Sequence, residues 1–133
     1  MLPSADMTFE VLLVEDEPAI RELVRSLLTA EGVSVTVAVN GAEGLRIARS
    51  RRFDLVLLDV QLPQLDGVSV CRMLRVDPAS AKVPVYMLTA GTRPSDREAA
   101  LRAGASGYIE KPFRGNELVG LVKRLRAFVA AKG

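Results

Sequence analysis

The chain has 133 residues, of which 49% are hydrophobic and 26% are charged, and this composition is typical of a single globular domain. Its formal net charge of +2 is small and dispersed along the chain, so nucleic acid or an anionic membrane is not expected as the main partner. With no histidine and one cysteine, Ser-His-Asp triads, internal disulfides and the usual zinc sites are excluded.

The N-terminus lacks the features of a secretion signal. Pro3 and Asp6 stand where a signal peptide would need an apolar run, and no stretch approaches the length of a membrane span. We therefore expect a cytoplasmic protein without a membrane partner. Residues 1–8 are interpreted as an N-terminal extension, and residues 9–131 as one folded domain.

The first predicted unit is a strand followed by a helix. Residues 11–14 form an unbroken apolar run, which is typical of a strand buried on both faces. Pro18 suits the first turn of the helix that follows, and Gly32 suits its end. Between them, apolar residues recur at the spacing of an amphipathic helix: Ile20, Leu23, Val24, Leu27 and Leu28.

The same unit recurs in the middle of the chain. Residues 33–39 are rich in β-formers, and Asn40 with Glu43 predicts a capping box that opens a helix reaching about residue 50. Residues 55–58 form a second unbroken apolar run, which Asp59 closes. A third helix is expected over residues 67–76, with these buried positions: Val70, Met73 and Leu74.

Two further units complete the pattern. Residues 83–88 are a predicted strand that Thr89 follows, and Ser95 with Glu98 is a predicted cap for a fourth helix. Because that helix offers mainly Ala99, Ala100 and Ala103 for burial, we expect it to be loosely held.

The last unit is a short strand and a long helix. Residues 105–109 form the predicted strand, and Lys111 follows it. The apolar face of the final helix is expected to contain Leu118, Leu121, Val122, Leu125, Phe128 and Val129.

Strands that alternate with helices predict right-handed crossovers and a parallel sheet covered on both faces. The sequence therefore predicts one doubly wound α/β domain with five strands and five helices. No internal repeat or domain linker interrupts it.

Polar residues occur immediately after four of the predicted strands. They are Glu15 and Asp16 after the first, Asp59 after the third, Thr89 after the fourth and Lys111 after the fifth. In an open parallel sheet these strand ends share one edge, and ligands bind there where the strand order reverses. With the order 2-1-3-4-5, Asp16 and Asp59 would face each other across that crevice.

This set of residue types suits phosphoryl chemistry. Crowded carboxylates repel one another, and Mg²⁺ relieves such repulsion because it takes a few carboxylates and keeps several waters. Lys111 and Thr89 offer a point charge and a hydrogen-bond donor to phosphoryl oxygens. Asp59 is the best-placed nucleophile, since carboxylates form aspartyl-phosphate intermediates.

Four motifs stand in order along the chain: Glu15-Asp16, the segment from Asp59 to Gly67 (DVQLPQLDG), Leu88-Thr89-Ala90, and Lys111-Pro112-Phe113. In this order and at these spacings the chain resembles the response-regulator receiver domains of two-component systems, from about Glu10 to Ala130. The resemblance implies the flavodoxin-like strand order 2-1-3-4-5, in a chemotaxis-regulator-like domain.

The resemblance also implies a metal site and a phosphoacceptor. Asp59 would be the phosphoacceptor, and Asp16 and Asp59 would ligate Mg²⁺ directly. The backbone carbonyl of Gln61 would be the third protein ligand, and Glu15 would reach the metal through water. The family more often has Asp at the position of Glu15, so this difference would affect the affinity for the metal.

Other positions are implied to bind the phosphoryl group or to report it. Thr89 and Lys111 would bind the phosphoryl oxygens, and Tyr108 would be an aromatic switch residue that moves together with Thr89. The bond between Lys111 and Pro112 is expected to be cis, as in the family.

These roles predict a signalling switch rather than an enzyme acting on a substrate. Phosphate would come from a phosphohistidine on a sensor histidine kinase or a histidine phosphotransfer protein, and the domain would catalyse only its own phosphorylation and dephosphorylation. The face of the fourth helix, fifth strand and fifth helix would change and address a downstream protein that the sequence does not name. No output domain and no direct nucleic-acid contact are expected, and a phosphorylation-dependent homodimer stays open.

Other interpretations stay open from the sequence alone. A haloacid-dehalogenase-like phosphotransferase would need a second Asp two residues after Asp59, where this chain has Gln61. A nucleotide-binding module would need a glycine-rich phosphate loop, and neither common motif occurs. A receiver-like scaffold that takes no phosphate would lack an acceptor residue, and none is missing. Individually, Asp16 could cap the first helix and Glu15 could be a surface acid.

Overall fold

A computed structural model describes residues 8–89, 94–111 and 114–132. Its parallel sheet contains β1 (Glu10–Val14), β2 (Ser34–Ala38), β3 (Leu55–Asp59), β4 (Val85–Thr89) and β5 (Gly107–Glu110). The helices are α1 (Pro18–Thr29), α2 (Gly41–Ser50), α3 (Gly67–Val76), α4 (Pro94–Arg102) and α5 (Gly115–Lys132). The strands lie in the order β2-β1-β3-β4-β5, so the predicted fold class and strand order are confirmed.

Each face of the sheet carries its own hydrophobic core. Val11 and Leu13 of β1 pack in a cluster with residues of α1 and α5, whereas Leu12 and Val14 pack in a second cluster with residues of α2, α3 and α4. Because side chains alternate along a strand, both faces of β1 are buried. This arrangement is the physical reason for the unbroken apolar run in the sequence.

Local signals position two helix starts as predicted. Asn40 caps α2 by accepting a hydrogen bond from the Glu43 N–H at 2.8 Å, and Glu43 Oε1 accepts from the Val39 N–H at 2.8 Å. Pro18 is the first residue of α1, and Glu17 precedes it as the N-cap. Asp16 is therefore not the cap of this helix.

One predicted core residue of α3 is exposed. Val70 and Leu74 are buried as expected, but Met73 is 39% exposed and Cys71 takes the inward position. The Cys71 Sγ lies 3.5 Å from the carbonyl oxygen of Ala103. The buried stripe of α3 thus follows Val70, Cys71 and Leu74, and Met73 falls beside it.

The apolar face of α5 is buried only in its first half. Leu118, Leu121 and Val122 are buried, whereas Phe128 is 61% exposed and Val129 is also exposed. The reason is length, because an 18-residue helix extends about 27 Å. A five-residue strand extends only about 17 Å, so the last turns of α5 reach beyond the sheet.

Element boundaries differ from the predictions at β4, β5 and α4. The strand β4 begins at Val85, after Pro84, and β5 begins at Gly107 because the Ala105 N–H is used to close α4. The helix α4 begins at Pro94, since proline suits the first helical position, and Ser95 therefore lies inside the helix rather than capping it.

The structure bears on two other predictions, the N-terminal extension and the lack of a membrane-spanning segment. Most of the predicted extension, residues 1–8, lies outside the described residues, so its boundary stays a prediction. Among the described helices, none combines the length and the apolar character needed to cross a bilayer.

Candidate functional site

Three carboxylates converge at the carboxyl edge of the sheet. Glu15 and Asp16 directly follow β1, Asp59 ends β3, and these strands are neighbours with Val14 opposite Leu58. One carboxylate oxygen of each acid lies within 4.8 Å of the others. Glu15 and Asp59 are buried and Asp16 is exposed, so the juxtaposition of Asp16 and Asp59 expected from the strand order occurs.

Lys111 brings a positive charge to this cluster. Its Nζ donates to Glu15 Oε1 at 2.9 Å and lies 3.4 Å from Asp59 Oδ2. The other oxygen of Glu15, Oε2, accepts from the Glu17 N–H at 3.2 Å. Glu15 is 0% exposed and has both oxygens occupied, so it is a buried partner of Lys111 and not a surface acid.

Burial and charge shift the titration of this pair. Burial is the largest influence on Glu15, and together with the neighbouring Asp59 it raises the pKa of Glu15, although Lys111 opposes the shift. Burial alone would lower the pKa of Lys111, but its contacts with Glu15 and Asp59 outweigh that effect and the pKa is raised. The lysine is therefore held in its charged form.

The connection between β3 and α3 fixes the position of Asp59. The Gln61 N–H donates to Asp59 Oδ1 at 3.1 Å, and the Gly67 N–H donates to the Val60 carbonyl at 2.9 Å. A Cβ at Gly67 would lie 2.1 Å from the carbonyl oxygen of Asp59, so only glycine fits there. Asp66 caps α3 through the Ser69 N–H at 2.8 Å.

Thr89 and Tyr108 lie on neighbouring strands. Thr89 is buried at the end of β4, and its carbonyl accepts from the Lys111 N–H at 2.7 Å. Tyr108 is half-buried on β5, opposite Met87, and packs against the core cluster on the α4 side. The predicted cis bond between Lys111 and Pro112 lies outside the described residues and stays a prediction.

Two arginines of this region had no role in the sequence-based prediction. Arg21 of α1 donates from Nη1 to the carbonyl oxygens of Glu15 at 3.1 Å and Asp16 at 2.9 Å, which ties down the acidic loop. Arg97 of α4 contacts Tyr108 and Glu110. The helix dipole favours acidic residues near the start of a helix. An arginine at that position is therefore unexpected, and this feature of the sequence could have indicated a role for Arg21 and for Arg97.

The chemistry of the site suits a hard cation next to an anion. Carboxylate oxygens are the preferred ligands of Mg²⁺, and Glu15, Asp16 and Asp59 carry more negative charge than Lys111 balances. The donor set therefore fits Mg²⁺. The ammonium group of Lys111 and the hydroxyl of Thr89 are groups that bind phosphoryl oxygens.

Comparison with known proteins gives one family. Residues 11–123 match the response regulator receiver domain. The DNA-binding response regulator MtrA of Mycolicibacterium smegmatis is 42% identical over 121 residues, which cover 90% of this chain and 52% of MtrA. The chain thus spans about half the length of the curated relatives it matches.

Solved structures agree with this match. Chemotaxis protein CheY4 of Vibrio cholerae superimposes with a TM-score of 0.84 at 31% identity, over 89% of this chain and 98% of that chain. The receiver domain of sensor histidine kinase PA1611 of Pseudomonas aeruginosa PAO1 gives a TM-score of 0.84 at 37% identity, over 90% of this chain and 98% of that chain. The PA1611 structure has a magnesium ion coordinated in its active-site cleft.

Proposed function

The chain belongs to the family of response regulator receiver domains of two-component systems, and from this premise we propose that Asp59 is its phosphoacceptor. Receiver domains are phosphoacceptor switches and regulators rather than enzymes in the usual sense. The observation that carries the proposal is the position of Asp59, buried at the end of β3 with Lys111 Nζ 3.4 Å from Oδ2.

The proposed reaction is transfer of a phosphoryl group from a phosphohistidine. A carboxylate oxygen of Asp59 attacks phosphorus, a P–O bond forms and the P–N bond to the partner's imidazole breaks. Lys111 exchanges its contact with Asp59 for one with a phosphoryl oxygen, while Glu15 continues to hold the ammonium group. Thr89 donates its hydroxyl to a second phosphoryl oxygen.

Mg²⁺ completes the proposed site. Asp16, Asp59 and the backbone carbonyl of Gln61 would hold the ion directly, and Glu15 would contact it through water. The bound ion supplies charge neutralisation for the phosphoryl oxygens. The two hydrogen bonds that already engage the carboxylate of Glu15 support its place outside the direct ligands.

The partners follow from the family. A histidine kinase supplies the phosphoryl group, directly or through a histidine phosphotransfer protein, and the domain catalyses its own phosphorylation and dephosphorylation. Thr89 and Tyr108 report the modification at the surface of α4, β5 and α5 to a protein target in the cytoplasm. MtrA is by name a DNA-binding regulator about twice as long; for this domain we propose no direct contact with nucleic acid, in keeping with a net charge of +2.

Phosphorylation by a small donor tests the acceptor. Acetyl phosphate with Mg²⁺ should place an acid-stable, hydroxylamine-labile phosphate on the wild-type protein, because an acyl phosphate has these properties. Asp59→Asn should take no label, since an amide oxygen is a poor nucleophile. Intact-mass spectrometry and peptide mapping give the readout.

Asp66→Asn is the matched control, because asparagine caps a helix as well as aspartate does and Asp66 lies seven residues from Asp59. This variant should take phosphate as the wild type does. Hydroxylamine-labile label that persists in Asp59→Asn would place the acceptor on another residue.

A further inference from the structure

Arg97 connects α4 to β5 through two contacts. Its guanidinium carbon lies 4.7 Å from the centre of the Tyr108 ring, in cation–π geometry, and its Nη2 donates to Glu110 Oε1. Tyr108 and Glu110 are two residues apart on the strand and therefore point to the same side of the sheet. One side chain thus holds both residues that β5 presents to α4.

The two ends of α4 are held in different ways. Within the helix only Ala100 is buried, so hydrophobic packing contributes little. Beyond its C-terminal end, the carbonyl of Gly104 accepts from Arg75 Nε at 2.9 Å, which ties that end to α3. The contacts of Arg97 with Tyr108 and Glu110 link the N-terminal half of α4 to the sheet.

Arg97 is held there with one donor unused. Its Nε is buried, and it is the one buried side-chain polar atom that has no hydrogen-bond partner within the described ranges. A buried donor without a partner is destabilising, because it has lost its bond to water. A shift of α4 that exposes Nε to water would recover part of that loss. The contacts of Arg97 with Tyr108 and Glu110 therefore resist such a shift, but the hydration of Nε offsets part of this resistance.

The partners of Arg97 lie next to the candidate phosphoryl-binding residues. Glu110 is the register partner of Thr89 at the ends of β5 and β4. The next residue, Lys111, donates its backbone N–H to the Thr89 carbonyl at 2.7 Å. A displacement of the Thr89 backbone would therefore act on β5, the strand that Arg97 contacts.

We propose that Arg97 is a positioning residue that acts through Tyr108. It holds Tyr108 and Glu110 against α4 while Asp59 carries no phosphate, and phosphorylation has to break this contact before α4 can shift. The inference rests on the proposed function, since it assumes that Asp59 is modified. Arg97 would then influence the equilibrium between the inactive and the activated conformation of the domain.

The effect should be measurable as a shift of a two-state equilibrium. A partly exposed cation–π contact and a partly exposed ion pair each favour one state by a small factor, and losing both should favour the activated state by about three- to tenfold. Because apparent affinity scales with the population of the competent state, a phosphate mimic should bind more tightly by about the same factor.

Tyr108 itself can serve as the probe. The chain has two tyrosines and no tryptophan, so Tyr86→Phe leaves Tyr108 as the single site for fluorotyrosine labelling. The ring of Tyr86 packs in the cluster on the α1 and α5 side, away from Arg97. The parent protein is Tyr86→Phe, and three variants are made in it: Arg97→Gln, Arg97→Lys and the control Arg102→Gln. Each protein is then studied by fluorine NMR and titrated with beryllofluoride in the presence of Mg²⁺.

In Arg97→Gln, the apparent dissociation constant for beryllofluoride should fall by about three- to tenfold, and the Tyr108 signal of the free protein should move toward its position in the complex. Arg97→Lys keeps the charge and should restore most of the wild-type behaviour. Arg102 forms an exposed pair with Glu98 on the same helix, away from Tyr108, so Arg102→Gln should match the parent protein.

The outcomes separate this inference from the proposed function. A parent protein that shows no response to beryllofluoride contradicts Asp59 as the acceptor. A parent that responds normally, with Arg97→Gln indistinguishable from Arg102→Gln in both readouts, overturns the role of Arg97 alone. If Arg97→Gln does not fold by circular dichroism, Glu110→Gln replaces it and should shift both readouts in the same direction by a smaller factor.

Discussion

Glu15, which is buried, and Lys111, which is largely buried, form an ion pair that joins the first strand to the last. The pair spans 96 residues of sequence, with the Nζ to Oε1 distance at 2.9 Å. Removing one member of a buried pair leaves the other charge without compensation, whereas removing both costs much less. The stability of the domain should therefore depend on keeping the two residues matched.

Lys111→Met should lower the free energy of unfolding at neutral pH by about 3 kcal/mol, because Glu15 is then a buried charge without its partner. The double variant Glu15→Gln/Lys111→Met should recover most of this loss. Denaturant titrations of the wild type, of the single variants Lys111→Met and Glu15→Gln, and of the double variant complete the cycle. A double variant no more stable than Lys111→Met would contradict the coupling.

The pH dependence of these variants follows from the raised pKa values. A raised lysine pKa contributes stability that is complete below the ordinary value of 10.5 and is lost as pH rises through the folded value, so Lys111→Met should lack this alkaline loss. The raised pKa of Glu15 favours its protonated form in the folded state. The stability that Glu15 contributes in this way is complete below pH 4.5 and falls as the pH rises through its raised pKa. In Lys111→Met, acidification neutralises the Glu15 carboxylate that has lost its partner, so this variant should regain stability as the pH is lowered.

At the scale of elements, Arg75 of α3 anchors two connections at once. Its Nε donates to the Gly104 carbonyl at 2.9 Å, after α4. Its Nη1 donates to three carbonyls of the connection before β4: Ser80 at 3.3 Å, Ala81 at 3.1 Å and Val83 at 2.6 Å. The guanidinium group thus donates to carbonyl oxygens that lie in connections, outside the hydrogen bonding of the helices and the sheet.

Arg75→Ala should destabilise the domain by about 2–3 kcal/mol, because several partly buried carbonyls lose a charged donor. Arg72→Ala, on the exposed side of the same helix, is the control and should change stability by less than about 0.5 kcal/mol. Hydrogen exchange should accelerate in residues 78–83 of Arg75→Ala. Equal stabilities for the two variants would show that the connection does not depend on this anchor.

At the scale of the whole molecule, Mg²⁺ should stabilise the fold. A ligand that binds only the native state adds about 2.7 kcal/mol at a hundredfold excess over its dissociation constant, which raises the melting temperature by several degrees. Asp16→Asn should abolish this rise while leaving the metal-free protein folded. Glu22 is an exposed acid on α1, away from the cluster, so Glu22→Gln should keep the rise in melting temperature. An unchanged Mg²⁺ response in Asp16→Asn would remove Asp16 from the metal site.

The sequence alone determined the fold class and which strand ends bring the acidic residues of the candidate site together. Apolar runs such as residues 55–58 predict buried strands because a parallel sheet is covered on both faces, and this pattern needs no tertiary information. The capping residues Asn40 and Glu43 act over three residues and were equally readable. Asp59 and Asp16 met as expected, because parallel strands all end at the same edge of a sheet.

Only the tertiary structure decided which side chains meet and where burial stops. The sequence gives the spacing of an apolar stripe but not the length of the surface that covers it, so the exposure of Phe128 could not be read from periodicity. Likewise, neither the pairing of Glu15 with Lys111 nor the contact of Arg97 with Tyr108 follows from local spacing. Such contacts depend on the distance between packed elements, which is set by the three-dimensional arrangement of the whole chain.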